Sequence, residues 1–221
     1  YQRRVRGFEL MSAGKKQLKV LILGDSAVGK TSLMERFVND QYSALYKPTI
    51  GADFLCKDIE VTNQSGQKTK VKLQIWDTAG QEQWFQSLGV TYYRGADAAI
   101  LVYDVTVAKT LQSLDAWRND FLQHAALQDP QKFPFVVVGN MKDKQDQIIV
   151  TASRGENFAQ VRGGNIRHFQ ASAKTGENVN EIFQQLAQMA IDQIGDDSQQ
   201  FGAETFVIKD EVKKDPKKGC C

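Results

Sequence analysis

Two histidines and three cysteines are all that the 221 residues offer to a transition metal or a disulfide framework. Cys56, Cys220 and Cys221 fit no zinc-ligand spacing and make no scaffold, which excludes a small disulfide-stapled fold. His124 falls on the polar side of a helical pattern and His168 within a short strand pattern. Neither has ligand partners close in sequence, so both read as structural. No apolar run approaches the roughly 18 residues of a membrane span. Neither charge sign is in excess. A net charge of +2 gives nucleic-acid binding no overall electrostatic basis, so any basic function has to be local. What is present suits one folded domain with tails: 42% hydrophobic residues can bury a core, and 24% charged residues can cover it.

The two ends stand apart from the middle. YQRRVRGFEL precedes Met11, with three arginines before its first acid and no apolar h-region. Residues 1–15 are expected to be a disordered extension, and 1–10 read as an upstream extension or gene-model artefact, a targeting segment being the alternative. Residues 196–221, DDSQQFGAETFVIKDEVKKDPKKGCC, show neither strand nor helix period and are expected to form a flexible tail. Between them, 16–195 is the expected domain.

Within that domain, short apolar runs alternate with helical patterns and no repeat is found. Strands are predicted over 19–23, 54–62, 70–76, 98–103, 133–138 and 166–169. A helix is predicted over 31–38, and others where Leu111, Leu114, Trp117, Phe121 and Leu122, then Val179, Ile182, Phe183, Leu186 and Met189, recur at helical spacing. Continuous apolar strands alternating with helices predict an α/β fold: a six-stranded, mostly parallel sheet with helices on both faces. The turn-rich NQSGQK joins the second and third strands into a hairpin, which supplies the one antiparallel strand.

The stretch GDSAVGKT, Gly24 to Thr31, fits G-x-x-x-x-G-K-[ST], after a strand and opening a helix. Backbone N–H groups freed by Gly24 and Gly29 can curl around an anionic oxygen, and the helix adds its positive end. Lys30 would reach the β- and γ-phosphates, and the Thr31 hydroxyl would meet Mg²⁺. Ser26, Ala27, Val28, Gly29 and Ser32 complete the expected phosphate cradle. Asp77 ends the strand LQIWD, where a carboxylate can hold the metal through water. Asn140 and Asp143, three apart after the apolar run FPFVVV, suggest a purine-reading site. A P-loop alone leaves nucleotide kinases, ATPases and GTPases open.

KPTIGADF, WDTAGQE, YYRGAD, GN..D and SAK, in this order, resemble the Ras superfamily of small GTPases and closely its Rab family. KPTIGADFLCKDI, FQSLGV and DPQKFPFVVVGN are most similar to the late-endosomal and lysosomal Rab branch. The resemblance covers about residues 17–194 and recurs at the carboxyl end. It implies a P-loop small G-protein fold and a GTPase that acts as a trafficking switch between late endosome and lysosome, vacuole or phagosome. GTP, GDP and Mg²⁺ are the implied ligands. By the same resemblance Thr49 would bind Mg²⁺ and the γ-phosphate, beside Thr31 and Asp77, with Tyr46 flanking the nucleotide. The Gly80 N–H would meet the γ-phosphate and Gln81 would orient the attacking water. Asp143 would accept from two guanine N–H groups. Ser172, Ala173 and Lys174 would close over the base, the Ala173 N–H donating to its oxygen. Phe54, Trp76 and Tyr92 match an effector-facing aromatic triad, with strand-edge packing as the other reading. Cys220 and Cys221 match a doubly geranylgeranylated terminus, which two chains would anchor firmly to a membrane, helped by Lys213, Lys214, Lys217 and Lys218. An exchange factor, a GTPase-activating protein, effectors, an escort protein and a GDP-dissociation inhibitor are the implied partners of a monomer. The implied location is the cytoplasmic face of late-endosomal membranes, with a cytosolic pool. No arginine is clearly placed to act as a finger in cis, so turnover without a partner is expected to be slow. Two alternatives are a GTP-bound scaffold with impaired hydrolysis and, less well founded, a P-loop kinase.

Three positions depart from the family's wording. Ala27 stands where many relatives carry glycine and is expected to be neutral unless the backbone needs φ > 0. Gln83-Trp84 replace a single arginine between QE and FQSLG, which shifts the phase of a partner-contacting segment. Met141 occupies the usual lysine position in GNMKDK. Methionine can supply that lysine's packing on the base but not its charge. Guanine selectivity through Asp143, weaker affinity and faster GDP release are expected, with Lys142 a solvated neighbour.

Overall fold

Alternate residues of β1 (Gln17–Leu23) leave the sheet on opposite sides, and both sets are apolar. Leu18, Val20 and Ile22 enter one core, whereas Leu21 and Leu23 enter a second. β4 (Ala98–Asp104) and β5 (Phe135–Asn140) split in the same way, with Ile100 and Val138 on one side and Leu101 and Val137 on the other. That is why these runs read as continuous apolar stretches: helices cover both faces. α1 (Lys30–Asn39) and α4 (Val179–Phe201) cover the first face, where Phe37 stacks on Phe183 with ring centroids 4.0 Å apart. α2 (Ala108–His124) and α3 (Ala152–Val161) cover the second, around Phe121.

The structure, a computed structural model, describes residues 17–49, 52–62, 66, 68–78, 92–163 and 166–201. β2 (Ala52–Thr62), β3 (Lys68–Thr78) and β6 (Arg167–Gln170) complete the sheet, in the order β2-β3-β1-β4-β5-β6. β2 is antiparallel to β3 and the other pairings are parallel. The expected six-stranded α/β architecture is the one found. β1 lies between β3 and β4, so successive connections leave it in opposite directions. The crevice beyond the carboxyl end of β1 is therefore the switch point at which open α/β sheets bind ligands.

Two elements differ from the sequence expectation. α3 went unpredicted because its buried face consists of Gly155, Phe158 and Ala159, too small a set to give an apolar stripe. α4 runs on to Phe201, through residues expected to belong to the tail. Extending an existing helix is far easier than nucleating one, so the turn needs no apolar period.

The two glycines Gly139 and Gly155 make room for a polar pair, the buried Tyr103 and the half-buried His168. A Cβ on Gly155 would lie 2.2 Å from His168 Nε2 and 2.5 Å from Tyr103 Oη, and one on Gly139 2.5 Å from that same hydroxyl. Tyr103 is fully buried, and its hydroxyl is 2.9 Å from His168 Nε2. Burial pushes the His168 pKa down, opposed by nearby Glu156. A lowered folded-state value means that the unfolded chain binds more protons below the ordinary pKa of about 6.5. Stability is thus present above that value and lost as pH falls through the window beneath it. Urea midpoints at pH 7.5 and 5.5 should show wild type losing more stability on acidification than His168→Gln; parallel losses would refute this role.

Candidate functional site

Between Leu23 and Lys30 the chain has to turn from β1 into α1 in contact with two other elements. Gly24 (φ 145°) and Gly29 (φ 91°) occupy conformations that favour glycine. A Cβ on Gly24 would meet the Val102 carbonyl oxygen at 2.2 Å, and one on Gly29 the Asn140 Nδ2 at 2.3 Å. Ala27 also lies in the left-handed region, at φ 65°. Its expected neutrality is therefore corrected: the position does require positive φ, which costs an alanine about 1–2 kcal/mol.

α1 begins without a side-chain cap and without an acid in its first turn. Its amino-terminal N–H groups and positive dipole end are thus left for an anion. Lys30 is buried and donates to the carbonyls of Gly24 (2.8 Å) and Asp25 (2.9 Å). Burial lowers its pKa to about 8, against the pull of Asp77 and Asp25. Trp117 of α2 fixes Asp25 from outside, its Nε1–H donating to Oδ1 at 2.8 Å. Val28 turns its side chain into the core, so only its backbone remains for a ligand.

A cavity of about 690 Å³ opens here, lined by Ser26, Ala27, Gly29, Lys30, Thr31, Ser32, much of 41–49, Met141 and Lys144. That is an ordinary size for a small-molecule site. The segment 41–49 is held across it at two points. Tyr46 Oη lies 3.1 Å from Ser26 Oγ, and Thr49 Oγ1 lies 2.9 Å from Thr31 Oγ1. The Thr31 hydroxyl donates to Asp77 Oδ2 at 2.5 Å, and Thr49 Oγ1, whose one proton serves Thr31 or that carboxylate, lies 3.3 Å from the same oxygen.

Asp77 is wholly buried at the end of β3, and its other oxygen, Oδ1, has no hydrogen-bond partner among the described residues. Burial pushes this carboxyl up, and the Thr31 hydroxyl and Lys30 ammonium pull against that. An orphaned carboxylate oxygen beside two hydroxyls is a hard-oxygen set, which fits Mg²⁺. No cluster of three His, Cys, Asp or Glu ligands occurs among the described residues. A single carboxylate suits a cation that keeps several of its waters.

The second part of the site is assembled by side chains beyond this lining. Asn140, at the end of β5, is 2% exposed. Its Nδ2 donates to the Val28 carbonyl (2.9 Å), and its Oδ1 accepts from the Ala173 N–H (3.1 Å). Asn140 therefore positions two loops. The Ala173 N–H donates to Asn140 here, because a buried amide oxygen needs a partner. Ser172 Oγ donates to Asp143 Oδ1 at 2.7 Å, and Lys174 Nζ is 3.8 Å from Asp143 Oδ2. Asn140, Asp143, Ser172, Ala173 and Lys174 are thus one connected group, next to the phosphate loop.

Phe54, Trp76 and Tyr92 form a continuous aromatic row on the β2–β3 edge, with centroid separations of 5.0 and 5.5 Å. Phe54 is 47% exposed, and the buried Trp76 Nε1 has no hydrogen-bond partner among the described residues. Gly80, Gln81, Gln83, Trp84, Cys220 and Cys221 lie outside the described residues.

The Ras family model matches residues 19–192. The chain is 49% identical to the Ras-related protein Rab-7a of Dictyostelium discoideum over 207 residues, covering 94% of this chain and 98% of that protein. It is 48% identical to the Ypt/Rab-type GTPase YPT7 of Saccharomyces cerevisiae over 192 residues, covering 86% and 90%. It belongs to the Ras family, in its Rab branch. Members of this family are GTP-hydrolysing enzymes that bind GTP and GDP, generally with Mg²⁺, and act through regulators and effectors.

In this Rab, motif reading passes over two side chains that hold the site together. Trp117 read as plain core, and Arg36 was not singled out because no signature contains it. Arg36 Nε donates to the Ala173 carbonyl and Nη2 to the Lys174 carbonyl, both at 2.9 Å, while Nη1 donates to Asp40. A planar guanidinium holds its N–H donors in a fixed fork that meets these two carbonyls and Asp40 at once, a geometry that a shorter ammonium does not reproduce. Through Arg36 the helix that starts at the phosphate loop also holds the 172–174 loop. Arg36→Lys should accelerate mant-GDP dissociation about tenfold, the equivalent of one charged hydrogen bond of about 1.4 kcal/mol. Rates equal to wild type would show that the loop needs no such brace.

Proposed function

We propose that this GTPase is a timed membrane-trafficking switch working between late endosome and lysosome or vacuole, with guanine nucleotide held in the 690 Å³ cavity. The single observation that carries the reading is the meeting of Thr49, from the segment 41–49, with Thr31 and Asp77 at one buried corner. It ties an otherwise exposed segment to the place where a γ-phosphate and its metal would lie, so nucleotide state can order or release that segment.

The chain's residues divide the work. Lys30 and the N–H groups of 26–32 hold the phosphates and place their charge in a preorganised, water-poor environment. Thr31, Thr49 and Asp77 would hold Mg²⁺, which when bound neutralises charge on the β- and γ-phosphates. Asp143, kept in place by Ser172 and flanked by Lys174, accepts from guanine N–H groups that adenine lacks. An unmatched buried polar group costs about 1–3 kcal/mol, enough to select the base. Tyr46 flanks the nucleotide from the opposite side. The Gly80 N–H contacts the γ-phosphate, and Gln81 orients the attacking water.

Phe54, Trp76 and Tyr92 form the surface read by effectors, because a stacked aromatic row with Phe54 exposed offers a partner a rigid apolar contact. Escort protein and GDP-dissociation inhibitor handle the Cys220 and Cys221 lipids, which place the switch on the cytoplasmic face of the membrane and leave a cytosolic pool. Exchange factor and activating protein set its timing. Domain limits of 16–195 for the GTPase and a tail beyond complete the proposal. Gln81→Leu should keep GTP binding and reduce activator-stimulated single-turnover hydrolysis by at least about 10²-fold. Undiminished turnover would remove Gln81 from the mechanism.

A further inference from the structure

Met141 leaves a nucleotide site of this kind without a cation on one wall, and three lysines lie near enough in sequence or space to replace it. Two are already committed. Lys142 Nζ forms an ion pair with Glu177 at 2.5 Å, so it is not the free solvated neighbour expected from sequence. Lys174 Nζ lies 3.8 Å from Asp143.

Lys144 differs from both. Met141 adopts the left-handed conformation, φ 69°, and its carbonyl accepts the Lys144 N–H at 3.0 Å. This closes a four-residue turn, which brings the first and last side chains together. Lys144 Nζ accordingly lies 3.2 Å from Met141 Sδ, and both residues line the same cavity as Ala27 and Gly29. No carboxylate pairs with the Lys144 ammonium among the described residues. A thioether is a weak acceptor, so its contact would yield readily to an anionic oxygen.

We propose that Lys144 is a nucleotide-binding residue: its ammonium, laid along Met141 at the cavity wall, reaches the ribose–phosphate portion of the bound guanine nucleotide and supplies the charge that position 141 lacks. The proposal rests on the reading of the cavity as the nucleotide site. Met141 then acts as an apolar shelf for the Lys144 stem. The affinity loss expected from position 141 alone is correspondingly offset.

The test is mant-GDP dissociation from the full chain with Mg²⁺ present. Lys144→Ala should speed release about five- to tenfold, with the acceleration shrinking as ionic strength rises. Lys144→Arg should retain most of the wild-type rate. In a Met141→Lys background, where the wall already carries a cation, Lys144→Ala should change release less than twofold. A wild-type rate for Lys144→Ala would overturn the contact, and equal acceleration in both backgrounds would overturn the compensation. Failure of the unsubstituted chain to bind mant-GDP would instead overturn the nucleotide-site reading beneath it.

Discussion

The side-chain amide of Asn140 is the contact on which the two halves of the site depend. It is buried, so both its donor and acceptor ends have to be satisfied internally, and the partners are Val28 of the phosphate loop and Ala173 of the 172–174 loop. Leaving either end unpaired would cost about 1–3 kcal/mol, which gives each loop a preferred position relative to the other. The close approach also explains Gly29. Any Cβ there would lie within 2.3 Å of the amide nitrogen, so the second glycine of the motif serves the base side as well as the phosphate side. Asn140 owes its own position to β5, whose last residue it is.

A second constraint is electrostatic. Lys30 and Asp77 are both buried, and each shifts toward its neutral form: the lysine downward, the carboxyl upward. Their shifts share one leading cause, loss of water, and each moderates the other through its charge. Such a pair is poorly solvated by the protein alone, and the orphaned Asp77 Oδ1 makes the deficit visible. A polyanion with its divalent cation would satisfy both groups together. The strain of Ala27 belongs to the same picture, since a loop that aims successive N–H groups inward has to adopt left-handed conformations.

Much of this was legible in the residues. The sheet followed from apolar runs, because a strand covered on both faces has no polar alternation to hide it. The phosphate loop was legible because its glycines, lysine and threonine act within one local turn. What stayed hidden was tertiary. Arg36 and Trp117 reach the site from helix faces that carry no signature, and Lys144 depends on the turn that joins its N–H to the Met141 carbonyl. The bond from the Ala173 N–H to Asn140 was hidden as well, because sequence names a backbone donor without saying which acceptor it meets. α3 escaped because glycine and alanine pack by fitting closely rather than by area.

Position 141 shows how a site can change one function and keep another. Its backbone closes the turn that carries Asp143, and this work depends on φ and a carbonyl, which methionine and lysine provide equally well. Asp143 is held independently by Ser172, whose hydroxyl is in turn 3.1 Å from the Thr175 N–H. The groups proposed to read the base are therefore held without the side chain at 141. Charge at the cavity wall is a separate quantity, set by whichever cation can reach it. On the proposed reading, selectivity and residence time rest on different atoms, so an exchange of lysine for methionine would act on how long the nucleotide stays, as far as Lys144 does not offset it, and leave the choice of nucleotide alone.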